Sequence, residues 1–495
     1  MGGKVFSKGN DPLNTPRMDA AVYDFVKRQC HVALKELNFS RVASPIETPE
    51  KKSHGDVDIL VCLEGKLVPF PPSCADFNAA HWAQVEKSLR AKRSVASYRI
   101  CPKKQRIVDN MSFAVPWPPL FALDPGGLEK EPGAKQTPRY VQVDVRLCDT
   151  HQEMEWRLYK HNHGDLWNMI GQNIRPLGLT ADDCGLHIRI PEIEEQDKKK
   201  ARVLLTSDPD EVNGFLGIKW PNGGWGMELS SVNDLFECAA SHKWFMLWPS
   251  DEEEEEKETS REDTKDVSEQ DSQSNSKKRK TKTKEGTKKE QRPVFARWID
   301  EFIPACRAQG RFIVPNAEER TWETVRDEVR REVFKTFPGK EAEYNARLTE
   351  WKKEKARIFV KKAIIKEAAY LPEDLKSYLP PPRDRDGDKD GDKDTRLVAI
   401  EMQWRSVLVS ALQKIIIDDD DSFEGLVPHN LRDSNGVLEV DQVTDWINVN
   451  WPGVGDAAWK RQCARAREHM DYKAARDAGR TEDGNKAQAA KDKKT

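Results

Sequence analysis

The chain has 495 residues, of which 33% are charged and 37% hydrophobic, and its formal net charge at pH 7 is -3. This length predicts two or three domains with ample side chains for a large core, and the high charged fraction predicts some disordered segments. The balanced charge excludes a globally basic protein, so any contact with nucleic acid must come from local patches. No apolar run reaches bilayer-spanning length, and no membrane association is expected.

The cysteines and histidines also narrow the function classes. Nine cysteines are scattered without a close pair. This odd count and the lack of a secretory signal indicate a reducing compartment, nuclear or cytoplasmic. The histidines show no metal-ligand spacing, so no zinc site is predicted. There is neither a Walker-type loop nor a nucleophile elbow, which argues against P-loop ATPases and α/β-hydrolases.

The first predicted element is an amphipathic helix. Thr15 and Pro16 have the residue types of a helix N-cap and of the first helical position. Apolar residues then recur at helical spacing until Asn38. The pattern predicts a helix that packs one face against a core.

A short strand with two carboxylates follows. Asp56 and Asp58 are one residue apart in an apolar run, so on a strand their side chains share one face. Val57, Ile59 and Val61 share the opposite face, which suits a core. Adjacent carboxylates repel each other, and a divalent cation held by oxygen ligands is the natural way to neutralise them.

A second strand carries a further carboxylate. Residues 139–147 alternate strictly, with Val141, Val143, Val145 and Leu147 on one face and Asp144 on the other. Such alternation predicts a half-buried β-strand.

The run Ser53-His54-Gly55-Asp56-Val57-Asp58 resembles the active-site strand of the DNA polymerase beta nucleotidyltransferase superfamily. That superfamily joins a turn and an Asp-x-Asp strand to a third carboxylate on a neighbouring strand, a position that Asp144 matches. A diffuse likeness over the first half of the chain, including His163-Gly164-Asp165-Leu166, points to uncharacterised fungal and large-DNA-virus members. The chain departs from the pattern in residues 42–50, where the usual Gly-Ser or Gly-Gly turn is missing.

The resemblance implies an α+β fold: a small mixed palm-like sheet flanked by helices, followed by a mostly helical C-terminal region. It also implies transfer of a nucleotidyl group from a nucleoside triphosphate to a hydroxyl acceptor, which could be RNA, DNA or a nucleotide. Two Mg²⁺ or Mn²⁺ ions would act as cofactors. The metal-binding catalytic residues would be Asp56, Asp58 and Asp144.

The resemblance further implies how the nucleotide is bound. Ser53, His54 and the Gly55 N–H group would face the triphosphate, and Lys51 or Lys52 would neutralise phosphate charge. From the sequence itself, Arg146 lies on the face of Asp144 and could orient it by a charge-assisted hydrogen bond.

Other interpretations remain open. Taken singly, Asp56 could cap a turn, and Asp58 and Asp144 could be ordinary strand residues. Because the Gly-Ser turn is missing, the chain could also be a catalytically degenerate member that binds nucleotide, nucleic acid or a protein.

Composition and the resemblance together divide the chain into seven segments. They are a catalytic domain over 1–160, a helical substrate-binding region over 161–249, a disordered charged insertion over 250–291, a helical arm over 292–379, a linker over 380–395, a small helical region over 396–473 and a disordered tail over 474–495.

Two of these segments suggest contacts with nucleic acid. The basic cluster 277–280 in the insertion could be a nuclear localisation signal, a nucleic-acid-binding patch or part of a solvated linker. The helical arm could hold a primer or acceptor, or simply present a charged solvated face.

Overall fold

The computed structural model forms two compact units, Met1–Glu341 and Ala342–Thr495. The residues that it describes are 3–8, 10–65, 71, 73–100, 106–121, 137–248, 292–314, 320–367, 371–372, 391–423 and 425–492. The predicted insertion 250–291 and residues 380–390 of the predicted linker lie outside this part of the chain.

The first unit is built on a mixed five-stranded sheet with the order β1-β2-β5-β4-β3. Its strands are β1 Arg41–Ala43, β2 Asp56–Cys62, β3 Ser94–Ile100, β4 Arg106–Pro116 and β5 Tyr140–Cys148. The neighbours β2 and β5 run parallel, while β1, β3 and β4 pair antiparallel with their neighbours. The predicted α+β class with a mixed sheet is confirmed. Strand β4 is the longest of the five, with 11 residues.

One face of this sheet carries the main core. The side chains of Val57, Ile59 and Val61 on β2 and of Val143 and Val145 on β5 are fully buried there, as their alternation predicts. Helices α1 Ala20–Glu36 and α2 Ala79–Ser88 contribute apolar residues to the same core. Burial of this continuous apolar layer fixes which face of each strand remains for polar groups.

The opposite face is polar at one end and apolar at the other. Asp56 and Asp58 occupy the start of β2 on this face, and Leu60 and Cys62 occupy its end. The end packs with Cys148 and with helix α3 (His151–His161) in a second apolar cluster. The acidic pair is therefore confined to one end of the strand.

Helix α1 begins later than predicted. Its N-cap is Asp19, whose carboxylate accepts a hydrogen bond from Val22 N at 2.9 Å. Thr15 instead donates through Oγ1 to Gly3 O at 2.8 Å. Met18 exchanges backbone hydrogen bonds with His54, so residues before Asp19 run extended beside the sheet and cannot join the helix.

Residues 161–249 were predicted to be helical, and this is wrong in part. The helices are α4 Leu166–Ile174, α5 Pro191–Glu194, α6 Pro209–Leu216 and α7 Val232–Ala240. Between α4 and α6 lies a three-stranded antiparallel sheet of β6 Leu179–Ala181, β7 Leu186–Arg189 and β8 Arg202–Thr206. These strands are too short to show a clear period in the sequence.

The predicted helical arm contains several separate helices. They are α8 Pro293–Arg297, a π-helical turn Trp298–Phe302, α9 Ile303–Ala308, α10 Trp322–Thr336 and the start of α11 Lys340–Glu367.

The second unit has a helical core, which confirms a helical C-terminal region. It contains most of α11 together with α12 Gly391–Ile417 and α13 Val440–Asp492. Two boundaries differ from the prediction. Helix α12 starts within the expected linker, and α13 continues through Pro452 into the expected disordered tail, as far as Asp492. Polar composition predicts little packing, but Ala, Lys, Arg and Glu in that tail are good helix formers.

Among the described residues, no helix combines the length and the apolar character needed to cross a bilayer.

Candidate active site

The three predicted carboxylates meet on the polar face of the sheet. The register pairs Asp58 on β2 with Asp144 on β5, and Asp56 lies two residues before Asp58. One oxygen from each carboxylate lies within 4.8 Å of the others. Parallel pairing and the two-residue strand period together produce this arrangement, because all three side chains project from the same face.

These carboxylates disturb one another's protonation. Burial, followed by the charges of Asp56 and Asp144, raises the pKa of Asp58 to about 7. The Asp58 side chain lines a cavity and is exposed to the space inside that cavity. Protein atoms still surround the carboxylate on most sides. Burial and then the Asp144 charge also raise the pKa of Asp56. Three ionised groups so close together are costly without a cation.

The donor set fits a hard divalent cation. All three groups offer carboxylate oxygens, which are the ligands that Mg²⁺ and Mn²⁺ prefer. Burial and mutual repulsion raise the pKa values of Asp56 and Asp58, and a bound cation would relieve the repulsion. Asp56, Asp58 and Asp144 are thus suited to hold such ions.

Asp144 is held in place by neutral side chains. Gln142, which is only 3% exposed, donates through Nε2 to both oxygens of Asp144, at 3.2 and 3.0 Å. Burial raises the pKa of Asp144, while hydrogen bonds with Ser112 and Gln142 oppose the rise. Sequence reasoning missed both partners, although Gln142 lies on the face of Asp144.

The predicted hydrogen bond from Arg146 to Asp144 is wrong. Arg146 donates through Nη1 to Asp183 Oδ2 at 3.2 Å. Lys160 also reaches Asp183, at 2.7 Å. Asp183 lies in the turn between β6 and β7. Because neither strand was predicted, nothing in the sequence indicated that Asp183 would lie near Arg146.

The carboxylates lie in a cavity of about 1450 Å³ that is formed within the first unit. Cationic side chains share its lining with the acidic cluster. They are Lys4, Arg17, Lys51, Lys52, Arg146, Lys160, Arg175, Arg292 and Arg297. An acidic centre within a basic surround can hold cations and a polyanionic ligand at the same time.

Three of the predicted nucleotide-binding residues, Lys51, Lys52 and Ser53, line this cavity. Lys51 Nζ donates to Glu47 Oε2 at 2.5 Å. Ser53 Oγ accepts from Arg17 Nε at 2.9 Å. In the described part of the chain, no carboxylate pairs with Lys52, so its ammonium group is available to a ligand.

His54 and Gly55 lie behind the cavity wall and are not among its described lining residues. The His54 ring is buried and stacks on Tyr23, with ring centroids 3.9 Å apart. Gly55 is covered by Gly3, where an added Cβ would come within 2.4 Å of Gly55 O. The structure therefore brings the Asp triad together with Lys51, Lys52 and Ser53, but separates His54 and Gly55 from the open space.

Glu47 is a site residue that sequence reasoning missed. Its carboxylate accepts from Tyr23 Oη at 2.8 Å and lies 3.8 Å from His54 Nδ1. Burial alone would raise the pKa of Glu47, but the nearby His54 ring, Lys51 and Tyr23 lower it to about 2. Glu47 precedes the strand in an irregular loop, where no periodicity marks a functional position.

No protein-family model matches the chain, and none of the curated proteins compared with it is similar. The functional argument therefore depends on the geometry of the site.

Proposed function

We propose that the protein is a metal-dependent nucleotidyltransferase that transfers a nucleotidyl group from a nucleoside triphosphate to a hydroxyl acceptor on a nucleic acid or nucleotide. The main support is the meeting of Asp56, Asp58 and Asp144 inside a cavity with a basic lining. A structural role alone gives no reason to place three carboxylates within 4.8 Å of one another without a cation between them.

The Asp triad would hold two Mg²⁺ or Mn²⁺ ions. When bound, such ions lower the pKa of an attacking hydroxyl and neutralise a pyrophosphate leaving group. The acceptor oxygen forms a bond to the α-phosphorus, and the bond from the α-phosphorus to the bridging oxygen breaks to release pyrophosphate. Asp144, oriented by Gln142 and Ser112, is placed to accept the hydroxyl proton.

The cationic lining would bind the triphosphate. Lys52 is the better phosphate ligand of the two adjacent lysines, because Glu47 already neutralises Lys51. We expect Lys52→Ala to raise the KM for the nucleotide more than Lys51→Ala does, while kcat changes less than KM. Initial rates over a range of nucleotide concentrations measure this difference.

The activity is tested directly with labelled nucleoside triphosphates, Mg²⁺ or Mn²⁺, and a mixed pool of RNA and DNA acceptors. Incorporation by the wild-type chain should disappear in Asp58→Ala and persist in Asp76→Ala, which removes an exposed carboxylate that does not line the cavity. Incorporation that survives in Asp58→Ala would refute the proposal.

One observation favours a second candidate, a degenerate member that binds nucleotide without turnover. Lys51 is engaged by Glu47, Ser53 is engaged by Arg17, and Gly3 covers Gly55. Through these contacts, three residues that would otherwise bind a triphosphate already interact with other parts of the protein. Nucleotide binding by calorimetry, with no incorporation under either metal, would support this candidate.

A further inference from the structure

A second group of metal-ligating side chains lies at the other end of β2. Within the described residues, one donor atom from each of Cys62, Glu64 and His151 lies within 4.8 Å of the others. Cys62 is four residues beyond Asp58, roughly 13 Å along a strand that rises about 3.3 Å per residue. This group is therefore separate from the carboxylates of the candidate active site.

The sheet itself brings these three residues together. Strands β2 and β5 end in register, with Cys62 opposite Cys148, and Leu63 N donates to Cys148 O at 2.9 Å. The chain then continues from β5 into α3, where Thr150 is the N-cap and His151 the first helical residue. Glu64, just after β2, accepts a hydrogen bond from His151 N at 2.6 Å.

The side chains of Glu64 and His151 retain unused donor atoms. Glu64 Oε2 receives the backbone hydrogen bond, which leaves Oε1 available. No hydrogen bond to a described residue engages the His151 ring, and the Cys62 side chain is buried beside it. Helix capping accounts for the position of Glu64, but it requires neither a thiol nor an imidazole at this point.

We propose that Cys62, Glu64 and His151 form a Zn²⁺ site. Thiolate, imidazole and carboxylate are the three ligand types that zinc takes in proteins. Three protein ligands leave a fourth tetrahedral position for water, and the exposed side chain of Glu64 gives solvent access to the group.

The site would act as a clip within the first unit. Glu64 and His151 are 87 residues apart in sequence, and an added link that closes so long a loop stabilises the folded state. The clip would join the ends of β2 and β5, the two strands that also carry Asp56, Asp58 and Asp144. Zinc would therefore support the active-site strands without contacting the substrate.

The test uses the full chain, stripped of metal and then titrated with Co²⁺ in excess Mg²⁺. A thiolate bound to Co²⁺ gives a sulfur-to-metal charge-transfer band, which a carboxylate-only site cannot give. We expect one equivalent of Co²⁺ to produce this band and one equivalent of Zn²⁺ to displace it. Zn²⁺ should also raise the thermal unfolding midpoint, because it binds the folded state.

Variants then locate the site. Cys62→Ser should abolish the band, and His151→Gln should weaken Zn²⁺ binding by about 100-fold or more, since even loss of an outer-shell partner costs about 10–100-fold. Cys148→Ser is the matched control, because it removes the thiol opposite Cys62 and should keep the band. Asp58→Ala should keep it as well.

A missing band in the wild-type chain, or a band that survives in Cys62→Ser, would overturn the proposal. If Cys62→Ser does not fold, the His151→Gln variant provides the test, because His151 is partly exposed. An unchanged Zn²⁺ affinity in His151→Gln would also overturn the proposal. The result is independent of the nucleotidyltransferase proposal, which is tested by incorporation and by Asp58→Ala.

Discussion

Replacing Asp58 by Asn should stabilise the metal-free protein at neutral pH. The substitution keeps the shape of the side chain and removes one of three mutually repelling charges. A rise in pKa from 3.8 to about 7 corresponds to roughly 4 kcal/mol between the two protonation states. Because the carboxylate is exposed to the cavity, solvent screening reduces this, and we expect a gain of roughly 1–2 kcal/mol.

The stability difference between Asp58→Asn and the wild-type protein should depend on pH. The folded state keeps a proton on Asp58 up to pH about 7, whereas the unfolded chain loses it near 3.8. The folded wild-type protein therefore binds more protons between these values, and its stability falls as pH rises through that window. The advantage of Asp58→Asn should be absent below pH 4, grow through the window and be complete above pH 7.

Urea unfolding in EDTA at pH 4 and pH 8 measures this effect, with Asp76→Asn as a control that removes an exposed carboxylate outside the cavity. Repeating the pH 8 experiment with Mn²⁺ in place of EDTA should stabilise the wild-type chain and leave Asp58→Asn almost unchanged. An Asp58→Asn variant that is less stable than wild type at pH 8 in EDTA would refute the argument from carboxylate repulsion. Equal stabilisation of both chains by Mn²⁺ would refute the metal assignment.

Three further substitutions test other parts of the structure. Gln142→Leu removes the side chain that donates hydrogen bonds to both oxygens of Asp144. The affinity for Mn²⁺, measured by calorimetry, should therefore fall while the fold is retained. Asp19→Ala should cost about 1 kcal/mol in urea unfolding through loss of the α1 N-cap, whereas a larger cost for Thr15→Ala would contradict the observed cap. Asp183→Asn should destabilise the protein at neutral pH, because burial is outweighed by the Lys160 and Arg146 charges that lower the pKa of Asp183. The difference in stability should shrink as the pH falls below 3.8, and a difference as large at pH 2 as at pH 7 would contradict this.

The strand periods allowed much of the sheet to be predicted. Alternation over residues 141–147 assigned one face to the core, and the structure buries Val141, Val143, Val145 and Leu147 there. Because Asp144 has the opposite parity, the same pattern placed its side chain on the polar face. Its closeness to Asp58 required one further step, that the two strands are neighbours, which the family resemblance implied. The parallel direction of the pair β2 and β5 was not predicted.

Features that depend on distant contacts could not be predicted in this way. Glu47 is positioned by contacts with Tyr23 on helix α1, with Lys51 on the same loop and with His54 just before β2. Cys62, Glu64 and His151 come together because the ends of β2 and β5 are adjacent in the sheet. Their spacing in the sequence does not indicate this.

The extended stretch before α1 bears on how far the first unit could be shortened. Phe6 and Met18 are buried, Val5 N donates to Gln142 Oε1 at 3.1 Å, and Met18 pairs with His54. Trimming this stretch would uncover apolar surface and release the side chain that steadies Asp144. A fragment that starts at the first helix would thus lack part of the scaffold that supports the cluster of Asp56, Asp58 and Asp144.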